Sequence, residues 1–227
     1  MIEIYKSSVQ NVRELKSSRK KFKRLINQSI KDKKKDVLSI LTKNYALLYS
    51  SFAETCFLKM IHTPYGFSED KIQQISRQRN LEEKWNKCLE LALREIDNGN
   101  GEFRNKTQTL TRLIQKYIIE PSQIRNKIAH GQWVVAFNSE NTSINTNTTS
   151  KINSLDFVKI DILFDAYEKI GQVVEDLIES PRKAHFRDFY VHLTELELLV
   201  DKTNDWSIKS KIAVLTKKYE KQKNARP

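Results

Sequence analysis

The chain has 227 residues with only five glycines and four prolines, enough length for a substantial core and a composition that favours helices. No run of about 18 apolar residues occurs, which excludes a helical membrane span, and Met1-Ile2-Glu3-Ile4-Tyr5-Lys6 lacks the apolar stretch of a secretory signal. The net charge of +12 sits at the ends: residues 1–36 hold 12 Lys/Arg against 4 Asp/Glu, residues 201–227 hold 8 against 3, and the 164 residues between carry a net of −1.

Basic ends of this kind are either an electrostatic surface for phosphate backbones or solvated tails that keep the chain soluble. Cys56 and Cys88 lie mid-helix in separate segments and read as small buried hydrophobes, so the expectation is a reduced, cytoplasmic protein. From Val9 to Ile30 apolar residues recur at helical spacing among lysines and arginines, and the run Lys31-Asp32-Lys33-Lys34-Lys35 then breaks the pattern. This predicts a basic amphipathic arm over 1–35, hinged to a helical body over 36–200.

The body opens with a helix from Asp36 to His62, its stripe including Leu38, Leu41, Tyr45, Leu48, Phe52 and Cys56, stopped by Thr63-Pro64-Tyr65-Gly66. His62 at its end reads as a capping or packing residue. Ser68 and Asn80 look like N-caps, with Glu83 at capping-box spacing from Asn80. Asn98-Gly99-Asn100-Gly101 marks a turn before a helix over 103–119. Trp133 to Phe137 is β-rich and 138–153 is dominated by Asn, Ser and Thr, which together predict a small β-hairpin or ordered loop near 132–153. Ser154 and Asp156 open a helix to Glu179, Ser180-Pro181 ends it and starts another, and a final helix runs from Trp206 to Lys221 before a basic tail, within a C-terminal unit over 201–227.

The most chemically loaded stretch is Pro121-Ser122-Gln123-Ile124-Arg125-Asn126-Lys127-Ile128-Ala129-His130-Gly131. Its proline opens a helix and its glycine ends one. Residues four apart lie about 40° from each other around a helix, so Asn126 shares a face with His130 and can orient its imidazole. Arg125 lies roughly 140° round from His130, within reach of a curled side chain. Metal-free cleavage of RNA needs a base for the 2′-hydroxyl proton and a fixed cation for the charge on the phosphorane oxygens. Histidine and arginine supply those two functions. The competing reading is structural: a histidine capping the last carbonyls, and an arginine paired with an acid.

The spacing of Arg125, Asn126 and His130 resembles the Arg, polar residue, any three, His signature of the HEPN superfamily (higher eukaryotes and prokaryotes nucleotide-binding). The resemblance implies an antiparallel all-α bundle and a metal-independent endoribonuclease without cofactor. It also implies a homodimer with a cleft on its axis, RNA as substrate, and a toxin or anti-phage and anti-plasmid role in which an antitoxin or regulatory partner is possible. In some members a glutamate on a neighbouring helix assists the pair, which nominates Glu54. The alternative is a non-catalytic RNA-binding or protein-interaction module with a vestigial motif.

A second element, from Pro181 to His192, repeats the spacing in Arg187, Asp188 and His192. His185, Asp188 and His192, at i, i+3 and i+7, fall within about 60° on one helical face, with Arg182 just ahead. This predicts one of three things: a second half-site, an auxiliary RNA-gripping face, or a polar stripe. A metal site on the three is the least favoured reading, because no fourth ligand lies nearby.

Overall fold

The computed structural model describes residues 2–96 and 101–224; the Asn98-Gly99-Asn100 part of the expected turn lies outside them. In chain order the described helices are α1 (Ile2–Lys31), α2 (Lys35–Ile61), α3 (Glu69–Ser76), α4 (Leu81–Leu93), α5 (Gly101–Ile114), α6 (Glu120–Ala129), α7 (Thr146–Asn153), α8 (Phe157–Glu179), α9 (Ala184–Thr203) and α10 (Ile208–Asn224). A short 3₁₀ turn, Arg94–Ile96, follows α4, and a π turn, Gln115–Ile119, joins α5 to α6.

Local chemistry accounts for the boundaries. The Ser68, Asn80 and Asp156 side chains accept from the Lys71, Glu83 and Val158 amides at 3.4, 2.9 and 2.7 Å, capping α3, α4 and α8. His62 closes α2 and its Nδ1 lies 2.9 Å from the Leu58 carbonyl.

The core forms where α2 crosses α8. Phe164 meets Tyr45, Tyr49 and Phe52 at ring separations of 5.4, 5.1 and 5.1 Å, and Trp85 of α4 extends the cluster to Phe57 and Tyr167. α6 lies against α2, α9 against α8, and α1 folds back along α2. The lysine run at 31–35 is therefore a tight reversal between packed helices.

Around 132–153, where a small β-hairpin or an ordered loop was expected, the structure has the loop and not the hairpin, and its second half is helical. Among the described residues there is no strand; Phe137 and Ile144 form one isolated antiparallel bridge, and 146–153 is α7. Side chains satisfy the backbone that a partner strand would otherwise pair. The Ala136 amide donates to Thr149 Oγ1 at 2.9 Å, the Asn153 side-chain amide donates to the Val134 carbonyl at 3.1 Å, and Asn145 caps α7 through the Thr148 amide at 2.9 Å. Ile152 is buried and anchors the helix.

Candidate functional site

Pro121 shapes the approach to the site. It has no amide proton to give the Tyr117 carbonyl four residues back, and its ring crowds that carbonyl. The chain widens there into the π turn, and the buried Tyr49 hydroxyl donates to the Tyr117 carbonyl at 2.5 Å. α6 then runs to His130, which is its C-cap. The Gly131 amide donates to the Ile128 carbonyl at 3.0 Å and the Gln132 amide to the Lys127 carbonyl at 2.9 Å, a Schellman closure with Gly131 at φ +80°.

This geometry places Asn126 and His130 one turn apart and exposed. They line an open groove of about 990 Å³, shared with Gln123, Lys127, Trp133 and Phe137. Lys127 Nζ donates to the Phe137 carbonyl at 2.7 Å and Trp133 Nε1 to the Ile128 carbonyl at 2.9 Å, which holds the loop against α6. Lys43 of α2 lies 5.8 Å from the Trp133 ring centre. Among the described residues neither the Asn126 amide nor the His130 ring has a side-chain hydrogen bond; what joins them is the His130 amide donating to the Asn126 carbonyl at 3.1 Å.

Arg125 points elsewhere. It pairs with Glu54 on α2, is not among the groove's lining residues, and keeps its Nε buried without a partner among the described residues. Burial lowers the guanidinium's pKa from its ordinary value. The structure thus joins Arg125 to Glu54 and sets Asn126 and His130 on one face of the groove, but among the described residues the Asn126 side chain does not hold the imidazole as the spacing led us to expect, and the guanidinium, paired on α2, does not line the groove.

The second element divides between two environments. His185 is 0% exposed, with Nε2 3.3 Å from Lys106 Nζ. Lys106 is itself buried, 3.0 Å from Glu102 and 4.8 to 5.4 Å from the ring centres of Phe186, Phe189 and Tyr190. An ammonium has only donors, so His185 Nε2 accepts and the ring is neutral. Burial first, and the Lys106 charge second, push its pKa down to about 4. His185 is therefore an interior residue and has no surface on which to grip RNA.

Asp188 and His192 instead face Asp176 of α8, the three bringing one ligand atom each within 4.8 Å. Arg187 already engages both Asp188 oxygens, at 2.8 and 2.7 Å, and Gln172 donates to Asp176 Oδ1 at 3.0 Å. Burial raises the Asp176 pKa. Arg182 stands exposed in the turn before α9.

Several participants carried no flag in the sequence: Tyr49, Lys43, Lys127 and Lys106. Pro121 did signal that the carbonyl of residue 117 needs a donor from outside its helix, but nothing in the sequence named Tyr49 as that donor. No family model, no curated protein and no solved structure matches the chain.

Proposed function

We propose that the protein is a metal-independent endoribonuclease of the HEPN kind, with His130 handling the 2′-hydroxyl proton and Asn126 beside it. The observation that carries this reading is the exposed His130 imidazole at a groove that also holds Lys127, Trp133 and Phe137, one turn from the Arg125–Glu54 pair. A cation, amides and two aromatic faces around an imidazole suit a strand of RNA.

Because Arg125 and His130 diverge within one chain, the reading requires a homodimer. The outer face of α2 supports one. Ile40, Leu47, Ser51, Glu54 and Leu58 fall within about 60° on that helix, and Ile40 and Leu58 remain 51% and 42% exposed. In the proposed dimer this stripe is the seam, and Arg125 of one chain serves the groove of the other.

Incubating RNA with the protein in EDTA should yield fragments ending in 2′,3′-cyclic phosphate. General acid–base catalysis contributes roughly 10²- to 10⁴-fold, so His130→Ala should abolish detectable cleavage while the exposed site leaves the fold intact. Cleavage that survives His130→Ala would sink the assignment. The Arg125–Glu54 pair itself favours a second reading, a non-catalytic RNA-binding module in which that ion pair only fastens α6 to α2. Intact RNA that binds with strong salt dependence would select it.

A further inference from the structure

The two basic ends of the chain meet in space. α10 packs on α1, and residues from both, together with the α1–α2 turn, enclose a cavity of about 860 Å³. Ile30, Leu38, Ile212 and Tyr219 form its apolar wall; Lys31, Lys33, Lys34 and Lys35 form its rim, with Glu220 also present. The four lysines are exposed and, among the described residues, none is in an ion pair. Lys31 Nζ lies 5.5 Å from the centre of the Tyr219 ring. Of the acids within the turn, Asp32 is hydrogen-bonded by Gln28 at 2.8 Å, and Asp36 lies one residue into α2.

Backbone geometry adds to the charge. α1 ends in a Schellman closure, with the Lys33 amide donating to the Ile30 carbonyl at 3.1 Å and the Lys34 amide to the Ser29 carbonyl at 3.0 Å. The left-handed position, φ +55°, is held by Lys33, where glycine avoids the steric penalty. No side chain caps the first turn of α2. Crowded like charges work against the free fold, and a bound polyanion relieves them.

We infer that this cavity anchors single-stranded RNA, one base lying against Tyr219 and the apolar wall with its flanking phosphates on the lysine rim. An apolar recess with an aromatic floor inside a cationic collar is how unpaired strands are held, and a base within a duplex cannot enter it. Lys43, which faces Trp133 at the candidate groove, is eight residues along α2 from Lys35, about 12 Å at 1.5 Å per residue. One strand can therefore reach both places. The choice of RNA rests on the nuclease reading; the polyanion site does not.

The test is fluorescence anisotropy of a labelled oligouridylate with the full chain carrying His130→Ala, so that the strand stays intact. Replacing Lys31, Lys33, Lys34 and Lys35 by Gln should flatten the dependence of log K on log salt by about 2 to 3, at roughly 0.7 for each phosphate that is no longer neutralised. Tyr219→Leu should weaken binding about tenfold and leave that slope unchanged. A wild-type slope in the lysine variant, unaltered affinity in Tyr219→Leu, or uridine monophosphate competing as well as the oligomer would each overturn the anchoring site. Cleavage by the wild-type chain is scored separately. Uncut RNA with the expected slope change removes the nuclease and keeps the anchor; cut RNA with wild-type binding in both variants does the reverse.

Discussion

Pro121 removes a hydrogen-bond donor from the middle of a helical run, and the orphaned Tyr117 carbonyl is buried, so some other donor has to reach it. The Tyr49 hydroxyl does so from α2, 68 residues earlier in the chain. Tyr49→Phe keeps the ring packing on Phe164 and deletes only the donor. It should cost about 1 to 3 kcal/mol in urea unfolding, the usual penalty for an unpaired buried carbonyl. Unchanged stability would mean that the π turn satisfies Tyr117 by another route. The motif residues were legible from type and spacing alone, because proline, arginine, histidine and glycine each carry a local rule. The Tyr49 hydrogen bond was not, since a hydroxyl that caps a distant carbonyl leaves no periodic trace. Nor could spacing show that Arg125 turns toward Glu54, a choice made by the packing of α6 on α2.

At the level of helices, capping chemistry made α3, α4 and α8 readable from Ser68, Asn80 and Asp156. α7 was hidden because threonine and asparagine suit strands, turns and caps alike, and its helix depends on Asn145 and on the tertiary burial of Ile152. In α9 the periodicity set His185, Asp188 and His192 on one face, but the partner helices divide them: α5 offers Lys106 to His185 and α8 offers Asp176 to His192. That division has a pH signature. His185 titrates near 4 in the fold against about 6.5 when unfolded, so between those values the unfolded chain binds the extra proton. Stability is then full above pH 6.5 and falls as pH drops toward 4, by about 2 kcal/mol at pH 5. Asp176, whose pKa is raised by burial, acts in the opposite sense, gaining on the acid side. Urea unfolding at pH 7 and pH 5 checks this: His185→Phe should flatten the wild-type loss, and an equal loss in the variant would place the titration elsewhere.

For the molecule as a whole, the question is what holds a strongly basic α1 against the body when its charge resists the like-charged α10. Asp161 of α8 is the fastening point. Arg19 Nε donates to its Oδ1 at 2.7 Å, Lys23 to Oδ2 at 2.5 Å and the Tyr45 hydroxyl to Oδ1 at 2.7 Å, while Arg19 also reaches Asp165 at 2.7 Å and stacks 4.7 Å over the centre of the Phe164 ring. Burial alone would raise the Asp161 carboxyl, but Arg19, Lys23 and Tyr45 hold it below its ordinary value, so this contribution is present at neutral pH and is lost as pH falls below about 4. Replacing Asp161 by Asn keeps the shape but leaves Lys23 without its carboxylate and Arg19 with Asp165 alone. The cost should be about 2 to 3 kcal/mol, below the 3 to 5 typical of fully buried pairs because water still reaches Lys23. If α1 were a hinged arm independent of the body, Asp161→Asn would leave the urea midpoint of the body unchanged. With α1 built into the bundle, the midpoint should fall in a single cooperative transition, and amide exchange over Ile26 and Ile30 should accelerate together with that of the α2 and α8 core.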